Sequence, residues 1–200
     1  MNRKTDRKQQ ILDAALRVFA RYGYRRARVE DVADELGMTK GNLYLYVSGK
    51  KDLHDQAVAH GLTRWQSKVA EVIAPIEDPV ERFRTLCLSS YEYLSEDATL
   101  RTIITDDPTI FTLSPERDRF RAINQTALTM LQDTLSEGVR QGRFRDIDVD
   151  SMAASLFSIY VMYIIKTGHN SEEFQSIRKM YRDTLDILLH GLIRPDRDNR

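Results

Sequence analysis

Four apolar residues, Val29, Val32, Ala33 and Leu36, recur at i, i+3, i+4 and i+7, and Gly37 stops the pattern at once. That spacing places them on one face of a short helix. Glu30, Asp31, Asp34 and Glu35 fall on the other face. A glycine placed there ends a helix at little cost, because it adopts the left-handed conformation readily. Met38 reads as a buried turn residue. Thr39 then caps a second helix, predicted over about Lys40 to Tyr46, by accepting a backbone N–H. Two short helices bent about a glycine leave few folds open to the first part of the chain.

The second helix opens on Lys40-Gly41-Asn42, small and polar, which is unusual for a packing helix. Glycine inside a helix costs roughly 1 kcal/mol against alanine. A backbone that accepts this cost at an exposed start is suited to close approach by another molecule. In a helix-turn-helix the second helix sets its N-terminal residues against base edges. Lys40 and Asn42 carry groups that hydrogen-bond bases, and Thr39 reaches a phosphate or a thymine methyl. Charge supports this: residues 1–53 hold 12 Lys/Arg against 7 Asp/Glu, whereas residues 54–200 hold 18 against 23. A basic segment joined to an acidic one is the asymmetry expected when one end meets DNA phosphate.

These residues resemble the DNA-binding domain of the TetR/AcrR family of transcriptional regulators. The resemblance rests on Ile11, Ala14, Ala15 and Phe19, on Gly23-Tyr24, and on Val29, Asp31-Val32-Ala33, Gly37-Met38-Thr39 and Gly41. It continues through Leu43-Tyr44, Tyr46, Lys50 and Leu53, and covers about the first quarter of the chain. Three positions depart from the family pattern. Arg28 stands where the family has a capping Thr or Ser, and either contacts a phosphate or is solvated. Val47 replaces a usual phenylalanine. Lys51 replaces a usual glutamate and adds positive charge beside Lys50. The reading assigns Thr39, Lys40 and Asn42 to bases, with Gly41 allowing close approach. It assigns Tyr44, Tyr46 and Lys50 to phosphates, with Arg28 and Lys51 as further candidates.

Helical periodicity continues to the end of the chain with no sustained alternation, so the fold is expected to be all-α with about nine helices. A first helix is predicted over Asp6 to Tyr22, with Ile11, Ala14, Ala15, Val18, Phe19 and Tyr22 as its apolar stripe. Its basic start, Arg3, Lys4, Arg7 and Lys8, is either a DNA-backbone contact or a solvated tail. A long helix from Lys50 to Ile73 joins the head, residues 1–53, to a helical body, residues 54–200. Asp78-Pro79-Val80-Glu81 reads as a capping box opening a helix to about Ser95. Helices are further expected near Thr99 to Thr105, from Ser114-Pro115-Glu116 to about Gln141, and from Asp150 to Thr167, ending at Gly168. A last one, capped by Asn170 or Ser171, runs to about Ile193, before Pro195 and a frayed tail. Ile110, Phe111 and Leu113 form an apolar loop.

The last two helices read as apolar round most of their circumference, and such helices are buried on all sides. That burial comes either from the core of one chain or from homodimerisation through these helices, which palindromic operators mirror in their two-fold symmetry; the resemblance implies the homodimer. Aromatic side chains gather in the middle of the chain, and Trp65, Tyr91, Phe111 and Tyr160 either line a pocket for a small apolar or amphipathic effector or fill a core. Lys166 either pairs with an anionic ligand or snorkels to solvent.

Other classes find little support. Cys87, the sole cysteine, allows no intramolecular disulfide, which suits a reducing cytoplasm; it is either a redox sensor or a buried thiol. His54 and His60 lie six apart, unlike an i, i+4 zinc pair. No Gly-x-Ser-x-Gly, phosphate loop or Gly-x-Gly-x-x-Gly occurs, so no catalytic residue, cofactor or metal is expected. The first ten residues lack an apolar signal core, and the 14 residues Met152 to Ile165 are too few to span a bilayer. Glu92 and Glu96 read as a solvated face. The expected function is a homodimeric repressor released from a palindromic operator by a small molecule. The alternative is a DNA-bound architectural or interaction module controlled by a protein partner.

Overall fold

Gly23 marks where the first helix gives way. In the computed structural model, which describes residues 3–112, 116–166 and 171–193, α1 runs Arg3–Arg26 but breaks at Gly23, whose φ of 72° no helix admits. The regular part thus ends at Tyr22, as the sequence predicts. The side chains of Arg3 and Lys4 lie outside the described ones. Eight further helices follow: α2 Val29–Glu35, α3 Lys40–Leu43, α4 Lys50–Ile73, α5 Pro79–Glu96, α6 Ala98–Asp106, α7 Arg121–Arg140, α8 Val149–Lys166 and α9 Ser171–Leu192. A 3-10 turn, Pro108–Ile110, follows α6. Among the described residues the extended backbone amounts to one bridge, Phe144 to Ile193.

α1 is apolar on two sides. Ile11, Ala14, Ala15, Val18 and Phe19 are buried as the stripe requires, but so are Leu12 and Leu16, whereas Tyr22 is 41% exposed. The second face is used because α1 packs on α6 as well as α4. A side chain on Gly61 of α4 would meet Leu16 and Leu100, so the absence of one lets the three helices close. Arg64 of α4 adds polar ties, donating to Asp13 of α1 at 2.8 Å, Asp97 at 2.9 Å and the Tyr93 hydroxyl at 3.2 Å. His60 meets the same Asp13 carboxylate at 3.1 Å.

Several body elements differ from expectation. Asp78 does not cap α5 through its side chain; its carboxylate faces Arg143 at 3.4 Å instead. α7 begins at Arg121 rather than near Ser114, which with Leu113 and Pro115 lies outside the described residues. The delay has a local cause: Asp118 accepts the Phe120 N–H at 2.8 Å and the Asn124 side-chain amide, holding a turn where the helix would have begun. α7 ends at Arg140, and Gly142, φ 68°, turns the chain just past it, with the Arg143 N–H returning to the Gly138 carbonyl at 2.9 Å. Thr167, Gly168 and Asn170 lie outside the described residues, as do Pro195 and the tail. Glu92 is not merely solvated: it accepts from Arg178 and Arg182 of α9, both at 2.6 Å.

α8 and α9 are not buried all round. Ala153, Leu156, Val161 and Ile164 of α8 face inward, while Ala154, Ser155 and Met162 face out. On α9, Tyr181, Leu185, Leu189 and Leu192 are buried, but Met180 is 55% and Ile187 74% exposed. α8 spans 18 residues, longer than its 14-residue apolar run, and by length and composition alone it could cross a membrane. It packs here against α6, α7 and α9.

Candidate DNA interface and body cavity

The turn between α2 and α3 is built from backbone bonds that glycine makes possible. Gly37 takes φ 60°. Its N–H returns to the Asp34 carbonyl at 3.1 Å, and the Met38 N–H to that of Ala33 at 2.9 Å. This pair of bonds is the Schellman closure, which satisfies carbonyls left over at a helix end. Met38 is half-buried rather than fully so. Thr39 Oγ1 accepts the Asn42 N–H at 3.2 Å, the cap its position predicts. α3 itself is shorter than expected. Past Leu43 the Leu45 and Tyr46 amides bond three residues back, so residues 44–46 form tightened turns instead of continuing the helix.

The start of α2 solves the problem posed by Arg28. A guanidinium accepts no hydrogen bond, so Asp31 caps in reverse, accepting the Arg28 N–H at 2.7 Å. The Arg28 side chain is left exposed. α4 opens the same way: Asp52 accepts the Ser48 N–H at 2.7 Å and the Gln56 amide at 2.9 Å. The Ser48 amide, then Gln56, hold the Asp52 carboxyl below its ordinary range. Leu43, Val47 and Leu53 are buried beneath these turns.

Thr39, Lys40, Gly41, Asn42, Tyr44 and Lys51 are exposed in and around α3, and Tyr46 and Lys50 are half-buried. Lys40 pairs with Glu30 of α2, a hydrogen bond that raises the lysine pKa and lowers the glutamate's. Its Nζ lies 5.7 Å from the Tyr44 ring centre. Lys51 reaches Asp55 at 2.5 Å. Lys50 is held more firmly, donating to the Arg25 carbonyl at 3.0 Å and sitting 4.8 Å over the Tyr24 ring. That ties the start of α4 to the end of α1. Sequence reasoning missed Leu45, 78% exposed beside the tyrosines, and the exposed Arg25 and Arg26 that flank Lys50. Arg25, Arg26 and Arg28 make a basic run visible in the sequence, and a charge count by position would have found it.

In the body, an apolar cavity of about 50 Å³ lies between α4, α5, α7, α8 and α9. Trp65, Phe111 and Tyr160 line it, and Tyr181, Met130 and Phe157 join them. Tyr91 does not; it is buried behind the cavity, stacked on Tyr181 at 5.0 Å. The polar tips are already paired: Trp65 Nε1 and the Tyr160 hydroxyl both donate to the Ser90 carbonyl, at 3.0 and 3.1 Å. Burial pushes the Cys87 thiol up to about 12, so the redox-sensor reading loses its thiolate. Lys166 is exposed and away from the lining.

Among the described residues no three His, Cys, Asp or Glu side chains gather as a metal ion requires. His54 is buried between the Phe19 and Tyr24 rings, each 4.8 Å away. His169 lies outside the described residues.

A short capped helix, set by a glycine turn against a second helix and carrying exposed Lys, Asn and Tyr, defines a helix-turn-helix protein. Residues 11–57 match the family of bacterial regulatory proteins, tetR family. Over these residues the chain is similar to the TetR/AcrR family of transcriptional regulators. It is 27% identical over 145 residues to the HTH-type transcriptional repressor KstR2 of Mycobacterium tuberculosis, covering 72% of each chain. Two solved structures share the fold. FadR from Bacillus subtilis, in complex with stearoyl-CoA, superposes with a TM-score of 0.77 at 22% identity, over 92% of this chain and 98% of that one. A putative transcriptional regulator from Saccharomonospora viridis, in complex with choline, gives 0.75 at 23% identity, over 96% and 100%.

Proposed function

We propose that the chain is a homodimeric transcriptional repressor that binds a palindromic operator through residues 1–53 and releases it when residues 54–200 take up a small molecule. The observation that carries this reading is the exposure of Lys40, Asn42 and Tyr44 together on the Thr39-capped turn of α3. Asn42 and Lys40 address base edges, with Thr39 and the bare backbone of Gly41 beside them. Tyr44, Tyr46, Lys50 and Lys51 address phosphates, and Arg28 extends that row with Arg25 and Arg26. Lys40 leaves Glu30 to do so.

Dimerisation through α8 and α9 is supported by their uncovered faces. Met162, Met180 and Ile187 stay exposed beside the small Ala154 and Gly191. A second copy laid on this surface buries side chains that water otherwise meets. Repression is supported by the function named for the relative in Mycobacterium tuberculosis.

An effector is supported by the lining of the body cavity, apolar with paired polar tips. Its volume of about 50 Å³ is below the roughly 300 Å³ at which ligand pockets begin, so binding requires the body to expand. The stearoyl-CoA and choline held by two structures of the same fold support a ligand over a protein partner. A cytoplasmic, non-catalytic protein follows from the same reading.

A genomic footprint of the purified chain tests the proposal. It predicts protected sites with two-fold symmetry in promoter regions. Protection without sequence preference would favour an architectural module.

A further inference from the structure

Two spaces in the body share a wall. Beside the small apolar cavity, a groove of about 370 Å³ runs along the outside between α4 and α7. Gln66 and Met130 line both. The Gln66 amide donates to the Ile123 carbonyl at 2.8 Å, joining α4 to α7 across the groove floor. Met130 is unbranched and swings between rotamers at little cost. Both side chains are half-buried.

The chemistry of the two spaces is alike in one respect. Among the described residues, neither is lined by Asp, Glu, Lys, Arg or His. The outer groove instead presents the hydroxyls of Thr63, Ser67 and Thr126, while the inner cavity presents rings and aliphatic chains. A charge carried inward would find no partner, and unpaired burial of an ion is costly. Hydroxyls at the rim suit a group that both donates and accepts.

We propose that Gln66 and Met130 form the gate through which an uncharged amphipathic molecule enters from the α4–α7 groove. Its apolar part passes to the cavity beside Trp65, and its neutral polar end stays among Thr63, Ser67 and Thr126. This rests on the reading of the body as an effector site and adds a route and a charge class to it. The Gln66–Ile123 bond is the latch that ligand entry breaks.

Stopped-flow binding of the neutral dye Nile red to the full chain tests the gate. Gln66→Ala and Met130→Ala should each raise the association rate at least threefold. Ala122→Phe, which plugs the groove from an exposed position, should lower it at least threefold. Arg84→Ala, across the body between α5 and α9, should leave it unchanged. General loosening of the fold would speed every variant, so the slowed Ala122→Phe separates the gate from damage. Charge class is read by displacing the dye with 1-decanol or decanoate, and the alcohol should act at a concentration at least fivefold lower. Dye binding at one rate in all variants, or displacement at least as good by decanoate, overturns the gate or the charge class while the effector reading stands. No dye binding to any variant overturns both.

Discussion

Arg64 on α4 donates to Asp13 on α1 at 2.8 Å, so the helix that enters the body holds the first helix of the head by charge as well as by packing. The same guanidinium reaches Asp97, which caps α6 by accepting the Leu100 N–H at 2.9 Å, and its neighbour Trp65 lines the cavity. One planar fork thus spans α1, α5 and α6. Arg64→Ala should lower unfolding free energy by about 1–2 kcal/mol, the range of charge-assisted hydrogen bonds reduced for its partial exposure. Arg64→Lys should recover less than half, since an ammonium lacks the fork. Urea titration measures both; full recovery by lysine would remove the geometric argument.

Glu30 occupies Lys40 in the free protein. A carboxylate beside a phosphate-facing surface also repels DNA. Glu30→Gln should therefore tighten DNA binding several-fold at low salt, with the gain shrinking as salt screens the charge. Weaker binding on a titration by fluorescence anisotropy would show that Glu30 positions Lys40 for the contact.

Gly138 faces the ring of Phe144, and a Cβ there would lie 2.0 Å from a ring carbon. Phe144 is buried and packs edge-on to Phe83 at 6.2 Å, so it has little room to yield. Gly138→Ala should cost about 1–3 kcal/mol through overpacking, despite alanine's better helix propensity. A thermal melt showing stabilisation would mean the ring moves freely.

Arg119 ties the segment before α7 both to Asp107, at the end of α6, and to α4. Arg119 bridges Asp107 at 2.5 Å and Asp55 at 3.1 Å. Burial works to raise the Asp107 pKa, but Thr109 and Arg119 hold it below its ordinary 3.8. A carboxyl depressed in the folded state adds stability above its unfolded pKa, and loses it as pH falls through the folded one. The melting temperature of Asp107→Asn should fall below that of the parent at pH 6, and the difference should shrink as pH falls from about 4 through the folded pKa. A difference that stays constant on acidification would assign the effect to shape instead of charge.

The elements legible in the sequence are those fixed by local bonds. Lys50 to Ile73 as one helix, the reversal at Gly37 and the Thr39 cap all follow from side chains within four residues. What escaped was set from further away. Asp78 resembles a cap, yet its carboxylate is drawn to Arg143, 65 positions on. Tyr91 and Tyr181 look alike by hydropathy, and only the packing of α5 on α9 decides which borders the cavity. Lys50 was read as a phosphate contact because of its charge, while its bonds to Arg25 and Tyr24 depend on where Gly23 turns the chain. The exposure of Met180 and Ile187 was hidden for the opposite reason: apolar residues all round a helix do not say which side a single chain covers.

Binding to sequences selected from a random library tests whether α2 and α3 read DNA. The purified chain should enrich a two-fold symmetric sequence, with affinity falling steeply and linearly on a logarithmic salt scale as phosphate contacts release counterions. Asn42→Ala should change the preference at one position of each half-site by roughly 1–3 kcal/mol, whereas Tyr44→Ala should weaken binding to selected and random DNA alike. No enriched sequence with a flat salt response, or equal losses on both DNAs for both variants, would contradict the account.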